Sequence, residues 1–190
     1  MLNKLYQTLE DKSNIDYVEQ NGPFYCNKNK AWLGEGFYFW DTFIEYAHWW
    51  GKVAYEYYHK DYIICLSEIN LKSVNIYDLT QPEILYEFRE IEEALKSRYT
   101  GKIITVPVII EYMKRHIAHF NEYKAIRASV NEATNYDKEI YSKRTPFVIG
   151  NRAYLNTFPQ VQLCILDKSI IGSENFRVIY PTIYAKEYVI

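Results

Sequence analysis

Apolar residues are arranged along this chain in two ways, and each predicts one kind of element. Segment 82–99 begins with a proline and then repeats apolar residues three and four positions apart, as on one face of an amphipathic helix. Those residues are Ile84, Leu85, Phe88, Ile91 and Leu95. Segment 107–120 has a similar pattern and predicts another helix.

Short runs rich in β-branched and aromatic residues predict strands. They lie near both ends of the chain and at its centre: 3–9, 36–40, 62–69, 123–130, 159–166 and 176–184. Strands at both ends with helices between them predict an α+β fold.

Local capping signals predict two further helices. The first covers 13–22, where Ser13 is a suitable N-cap residue and Gly22 closes the helix. The second begins near residue 42, where Thr42 and Glu45 have the spacing of a capping box.

Composition indicates one ordered globular domain covering 1–190. Apolar residues make up 48% of the 190 residues and charged residues 24%, which is typical of a chain that buries a substantial core. No repeat or linker divides the sequence. The net charge of −2 argues against a broad electrostatic surface for nucleic acid.

Cysteine and histidine spacing gives no metal or disulfide signal. Cys26, Cys65 and Cys164 are far apart, and His116 and His119 have no third ligand near them in sequence. No apolar run reaches the length of a membrane span, and charges occur too early for a signal peptide. We therefore expect a cytoplasmic protein with no membrane partner. The sequence does not indicate an oligomeric state.

The densest aromatic stretch is 33–51, which raises the question of whether it builds core or pocket. It contains two glycines, Gly34 and Gly36, and three of the four tryptophans, Trp40, Trp49 and Trp50. Aromatic residues reach 17% of the chain, with 20 tyrosines. Such residues serve equally well in a wide core or around a flat ligand, so composition alone leaves both possibilities open.

Residues 36–49 read Gly-Phe-Tyr-Phe-Trp-Asp, five further residues, and then Ala-His-Trp. This resembles the NAD-binding signature of the ADP-ribosyltransferase superfamily, in the branch of poly-ADP-ribose polymerases and diphtheria toxin. The resemblance implies split antiparallel sheets with flanking helices. It also implies that Tyr38 and Trp49 enclose the nicotinamide ring of NAD. A cationic pyridinium between two π-faces gains stacking and cation–π attraction.

The resemblance also assigns Tyr46 to the cofactor site, where the family often has a serine that binds the nicotinamide carboxamide. Glycine has unusual backbone freedom, so Gly34 and Gly36 would allow the backbone either to approach a ligand or to turn tightly into the strand. Gly36 is therefore a further candidate for the cofactor site.

Two further family positions are occupied by glutamine. The late strand, where the family has a catalytic glutamate, offers Gln160 and Gln162, and a solvent-facing polar edge is the alternative interpretation of this pair. The first strand has Gln7 where the family has a histidine that binds the adenosine ribose. Glu35 and Glu174 are further candidates for the missing carboxylate.

The resemblance implies a mono-ADP-ribosyltransferase that uses NAD as substrate and modifies an unknown protein or nucleic-acid acceptor. Tyr38 and one of the late-strand glutamines would be its catalytic residues. Bacterial members of this kind often look like toxins or defence effectors. The alternative hypothesis is a catalytically degenerate module that binds a nucleotide or protein without turnover. A third is an unrelated fold without a nucleotide site.

Overall fold

The computed structural model describes residues 2–27, 31–130, 144–148, 153–172 and 175–185. Its strands are β1 (Asn3–Glu10), β2 (Tyr25–Cys26), β3 (Gly36–Asp41), β4 (Tyr62–Ile69), β5 (Ile76–Asp78), β6 (Ala125–Ser129), β7 (Arg144–Pro146), β8 (Tyr154–Asn156), β9 (Val161–Ile165) and β10 (Arg177–Tyr180). Its α-helices are α1 (Ile15–Asn21), α2 (Ile44–Ala54), α3 (Pro82–Arg98) and α4 (Val106–His116).

Most of the described strands join one mixed sheet in the order β10-β4-β1-β3-β9-β6-β5, with β2 beside β3. The β5–β6 pair is parallel, whereas the other pairs are antiparallel. β7 and β8 pair separately. Mixed strands with helices around them agree with the predicted α+β class. Each predicted strand overlaps a strand of the structure, although β10 ends at Tyr180, before the predicted end at residue 184, and α3 confirms the helix predicted from the apolar repeat.

The two faces of the sheet are covered differently. On one face, Leu5, Phe39 and Leu163 pack with Val18 of α1. The opposite face carries two separate clusters: α2 packs over β1, β3 and β4, whereas α3 and α4 pack over β5, β6 and β9. Each fully buried Leu or Phe side chain contributes about 1.5–3 kcal/mol through burial. The candidate site lies between these two clusters.

The sheet opens between β1 and β3. β1 pairs with β4 over all eight of its residues, but with β3 only at Leu5–Asp41 and Tyr6–Trp40. β3 instead continues along β9 from Phe37 to Trp40. Beyond Tyr6 the two central strands therefore diverge, and the backbone there needs other hydrogen-bond partners.

The predicted capping box at the start of α2 is wrong. The helix begins at Ile44, and its N-cap residue Phe43 makes no side-chain cap. Thr42 has a φ of 69°, and its hydroxyl donates to Asp41 Oδ1 at 2.8 Å. The hydroxyl is therefore already engaged with the end of β3 and does not reach the helix N–H groups.

Two other helix boundaries differ from prediction. Ser13 is not the N-cap of α1, since Asn14 holds that position and the Ser13 N–H bonds Asp11 Oδ1. Gly22 closes the helix as predicted, with its N–H on the carbonyl of Val18. α4 ends at His116, and residues 118–122 form a separate 3₁₀ turn. No helix in the described part of the chain is long and apolar enough to cross a bilayer.

Candidate functional site

A cavity of about 430 Å³ lies where β1 and β3 diverge. We call it the cleft cavity. Aromatic side chains dominate its wall: Tyr6, Phe24, Tyr25, Trp32, Tyr38, Phe39, Trp40, Trp50 and Tyr55. Two glutamines, Gln7 and Gln162, also line it, and none of the described lining residues carries a charged side chain. Its volume is in the range of small-molecule sites, which combine apolar walls with a few polar groups.

Gln7 bridges the opening between the strands with its own amide. Its Nε2 donates to the carbonyls of Phe24 at 2.9 Å and Tyr38 at 3.2 Å, and its Oε1 accepts the N–H of Phe24 at 2.8 Å. An amide has two N–H donors, and both are used inside the protein. Gln7 therefore lines the cavity, but in this structure it has no N–H left to donate to a ribose.

Tyr38 lines the cavity, and its hydroxyl fixes the preceding turn. The hydroxyl donates to the carbonyl of Gly34 and accepts the N–H of Leu33, both at 2.6 Å. Burial, with a smaller effect of Cys164, raises the pKa of Tyr38 far above its usual range. The side chain therefore remains a neutral phenol and holds Gly34, whose φ is +81°, in its left-handed conformation.

The structure separates the two late-strand glutamines. Both are buried, with 9% of Gln160 and 8% of Gln162 exposed, so the solvent-facing alternative is wrong. Gln162 lies in β9 opposite Trp40 and lines the cleft cavity, while Gln160 lies outside its described wall. The Gln162 Oε1 atom is buried and has no hydrogen-bond partner among the residues that the structure describes. A buried acceptor without a donor costs about 1–3 kcal/mol.

The described aromatic wall includes Trp50 but not Trp49. Trp49 meets Trp40 edge-on at 6.0 Å and tilts against Trp50 at 6.0 Å, and these are its ring partners among the described residues. Trp40 comes from the same face of β3 as Tyr38 and is 3% exposed. Tyr38 therefore lines the cleft cavity, whereas Trp49 lies outside its described wall.

Tyr46 and Gly36 serve the core in this structure. The Tyr46 hydroxyl donates to the carbonyl of Phe158 at 2.6 Å, the two rings stack at 4.8 Å, and burial raises the pKa of Tyr46 to about 12. A Cβ added at Gly36 would lie 2.4 Å from the Cys164 sulfur and 2.7 Å from the Ile165 carbonyl. The close approach that Gly36 permits is therefore to strand β9, not to the cavity.

The other sequence candidates lie away from the cleft cavity or outside the described residues. Glu35 lines a different cavity and accepts from the Tyr25 hydroxyl at 3.4 Å. Glu174 lies outside the described residues. His116 packs on the Tyr112 ring and His119 faces Glu87, and no group of three metal-ligating side chains occurs in the described ranges.

The aspartate of the sequence motif has a structural partner that sequence reasoning missed. Asp41 accepts a hydrogen bond from Arg127 Nε at 2.8 Å, and Arg127 Nη1 also reaches Asp78 at 3.1 Å. These side chains join β3, β5 and β6 across the sheet. The missed cavity residues Trp32 and Tyr55 lie on segments with no sequence motif, so only the folded chain brings them to the site.

Comparison with known proteins identifies a similar chain but no activity. No family model matches the sequence, and no solved structure matches it. An uncharacterised protein of Methanocaldococcus jannaschii is 22% identical over 178 residues, which cover 88% of this chain and 83% of that protein. The similarity therefore extends over most of both chains.

Proposed function

We propose that this chain is a catalytically degenerate ADP-ribosyltransferase-like module that binds NAD in the cleft cavity without efficient turnover. The observation that carries the proposal is Gln162. It lies on a late strand, as the family glutamate does, and it lines the aromatic cavity, while its buried Oε1 has no hydrogen-bond partner among the described residues. Such a group binds a ligand hydroxyl or amide but supplies no negative charge.

The missing charge matters more for chemistry than for binding. A carboxylate about 4 Å from a developing positive charge gains roughly 4 kcal/mol at an effective dielectric near 20. That stabilisation corresponds to roughly a thousandfold in rate. An amide at position 162 keeps a hydrogen-bond acceptor but does not provide this rate enhancement. Gln7 has already committed its donors to Phe24 and Tyr38, which supports a role in shaping the site.

Calorimetry with NAD and a nicotinamide-release assay test the proposal together. We expect saturable NAD binding by the wild-type chain and release close to background. Gln162→Glu restores a carboxylate inside the cavity and should raise release by at least tenfold. Gln160→Glu is the matched control, because that side chain is equally buried but outside the described cavity wall, and it should not raise release. No NAD binding, or rapid release by the wild type, would contradict the proposal.

A second candidate is a slow mono-ADP-ribosyltransferase with a protein or nucleic-acid acceptor. It is supported by the motif order over 36–49 and by Tyr38, which lines the cavity. Label transfer from NAD in cell lysate tests it, with Tyr38→Ala as the comparison. Labelling of an acceptor by the wild type and its loss in Tyr38→Ala would favour the transferase. Equal labelling by both proteins would exclude it.

A further inference from the structure

We propose that the cleft cavity is an aromatic cage that selects organic cations. If the proposed function holds, this inference specifies which form of the cofactor is bound. The oxidised nicotinamide ring carries a positive charge, while the reduced ring is neutral. The cavity should therefore prefer NAD to NADH, and should also accept N-alkylpyridinium and quaternary ammonium groups.

The first support is the origin and orientation of the tryptophans. Trp32 comes from the segment before β3, Trp40 from β3 and Trp50 from α2, and all three line the cavity. The rings of Trp32 and Trp50 are 5.8 Å apart and nearly perpendicular, at 82°. Rings from separate elements in crossed orientations present π-faces in several directions. This is how aromatic cages hold quaternary ammonium ligands, and tryptophan is the strongest π-partner for a cation.

The second support is the electrostatic character of the remaining wall. Tyr6 and Tyr55 line the cavity, and burial raises the pKa of each, so both stay neutral phenols. The described wall contains no lysine, arginine or histidine that would repel a cation. The Gln162 Oε1 atom, which has no hydrogen-bond partner within the described ranges, adds a partial negative charge. A desolvated cation–π contact is worth about 2 kcal/mol or more, compared with about 0.5–1 kcal/mol at an exposed site.

Two pairs of ligands isolate the effect of charge. 1-Methylnicotinamide, which is methylated on the ring nitrogen, and nicotinamide share a ring and a carboxamide, but only the first is a cation. Choline and 3,3-dimethylbutan-1-ol have the same shape, since a carbon atom replaces the ammonium nitrogen of choline in the alcohol. Only choline is charged. Binding is followed by tryptophan fluorescence and by calorimetry. We expect each cation to bind about tenfold more tightly than its neutral partner. Affinities within twofold in both pairs would overturn the inference.

Neighbouring tryptophans provide matched variants. Trp50→Leu removes a cavity face and should reduce the cation preference to less than threefold. Trp49→Leu changes the adjacent residue, which lies outside the described wall, and this variant should retain the cation preference. Trp50→Phe keeps an aromatic face and should give an intermediate preference if the leucine variant fails to fold. An unchanged preference in Trp50→Phe and loss in Trp49→Leu would contradict the assigned wall.

NAD and NADH separate this inference from the proposed function. Tighter binding of NAD by about tenfold supports both. Equal binding of NAD and NADH would overturn the inference and leave NAD binding intact. A cation preference among the small ligands, with no binding of either dinucleotide, would support the cage and contradict the proposed function.

Discussion

The Asp41 carboxylate accepts a hydrogen bond from Arg127 Nε at 2.8 Å, and only 1% of the aspartate side chain is exposed. This pair connects the end of β3 to β6 across the intervening strand β9. Asp41 belongs to the motif that resembles an NAD-binding signature, but its charge is neutralised inside the protein. Its role in this fold is to connect β3 through Arg127 with β5 and β6.

Removing one partner of this buried pair should be strongly destabilising. Asp41→Asn leaves part of the Arg127 charge uncompensated and should lower the free energy of unfolding by about 3 kcal/mol. Urea denaturation measures the change. Glu10→Gln is the control, since Glu10 pairs with Lys60 on the surface and should cost less than about 1 kcal/mol. Similar losses in both variants would show that the Asp41 pair is no more important than a surface pair.

Acid should weaken the contribution of Asp78 to stability. Burial alone would raise the pKa of Asp78, but hydrogen bonds from Thr80 and the charge of Arg127 outweigh it, so the pKa is lowered. A lowered folded pKa stabilises the native state above the unfolded pKa and loses this effect as pH falls through the folded value. The stability difference between wild type and Asp78→Asn should be constant above about pH 5 and shrink below about pH 4. A difference that grows on acidification would contradict this assignment.

The two cavity glutamines should respond oppositely to replacement by methionine. Gln7→Met leaves the N–H and carbonyl of Phe24 and the carbonyl of Tyr38 without their amide partner, and should cost about 2–4 kcal/mol. Gln162→Met removes a buried acceptor that has no partner in the described part of the chain, so stability should be unchanged or higher. Thermal and urea unfolding of both variants measures this contrast. A larger loss in Gln162→Met would indicate that its Oε1 has an internal donor.

A side chain at Gly36 should force β3 and β9 apart. The added Cβ would lie 2.4 Å from the Cys164 sulfur and 2.7 Å from a backbone carbonyl that cannot rotate away. Gly36→Ala should therefore cost about 1–3 kcal/mol through overpacking. Gly172→Ala is the comparison, because its nearest contact is the Asn175 side-chain amide at 3.2 Å, and a smaller loss is expected. Denaturation midpoints of the two variants measure these losses of stability. Equal losses would argue against close packing at Gly36.

The sequence by itself determined those elements whose signal is local. The apolar repeat over 82–99 predicted α3, since its spacing matches one helix face whatever the rest of the chain does. The β-rich run over 62–69 likewise predicted β4, which is buried along almost its whole length. The predicted capping box was wrong because the Thr42 hydroxyl donates to Asp41 instead of accepting a helix N–H. The conformation at the end of β3 determines this contact.

Only the tertiary structure decided which polar and aromatic residues form the candidate site. Gln160 and Gln162 have the same local pattern, and strand register alone places Gln162 opposite Trp40 in the cavity. Trp49 and Trp50 are adjacent in sequence, but about 100° of helix rotation separates them, so packing of α2 on the sheet selects Trp50. A local sequence pattern indicates which face of a helix or strand is apolar. Contacts between distant segments decide which face meets a ligand.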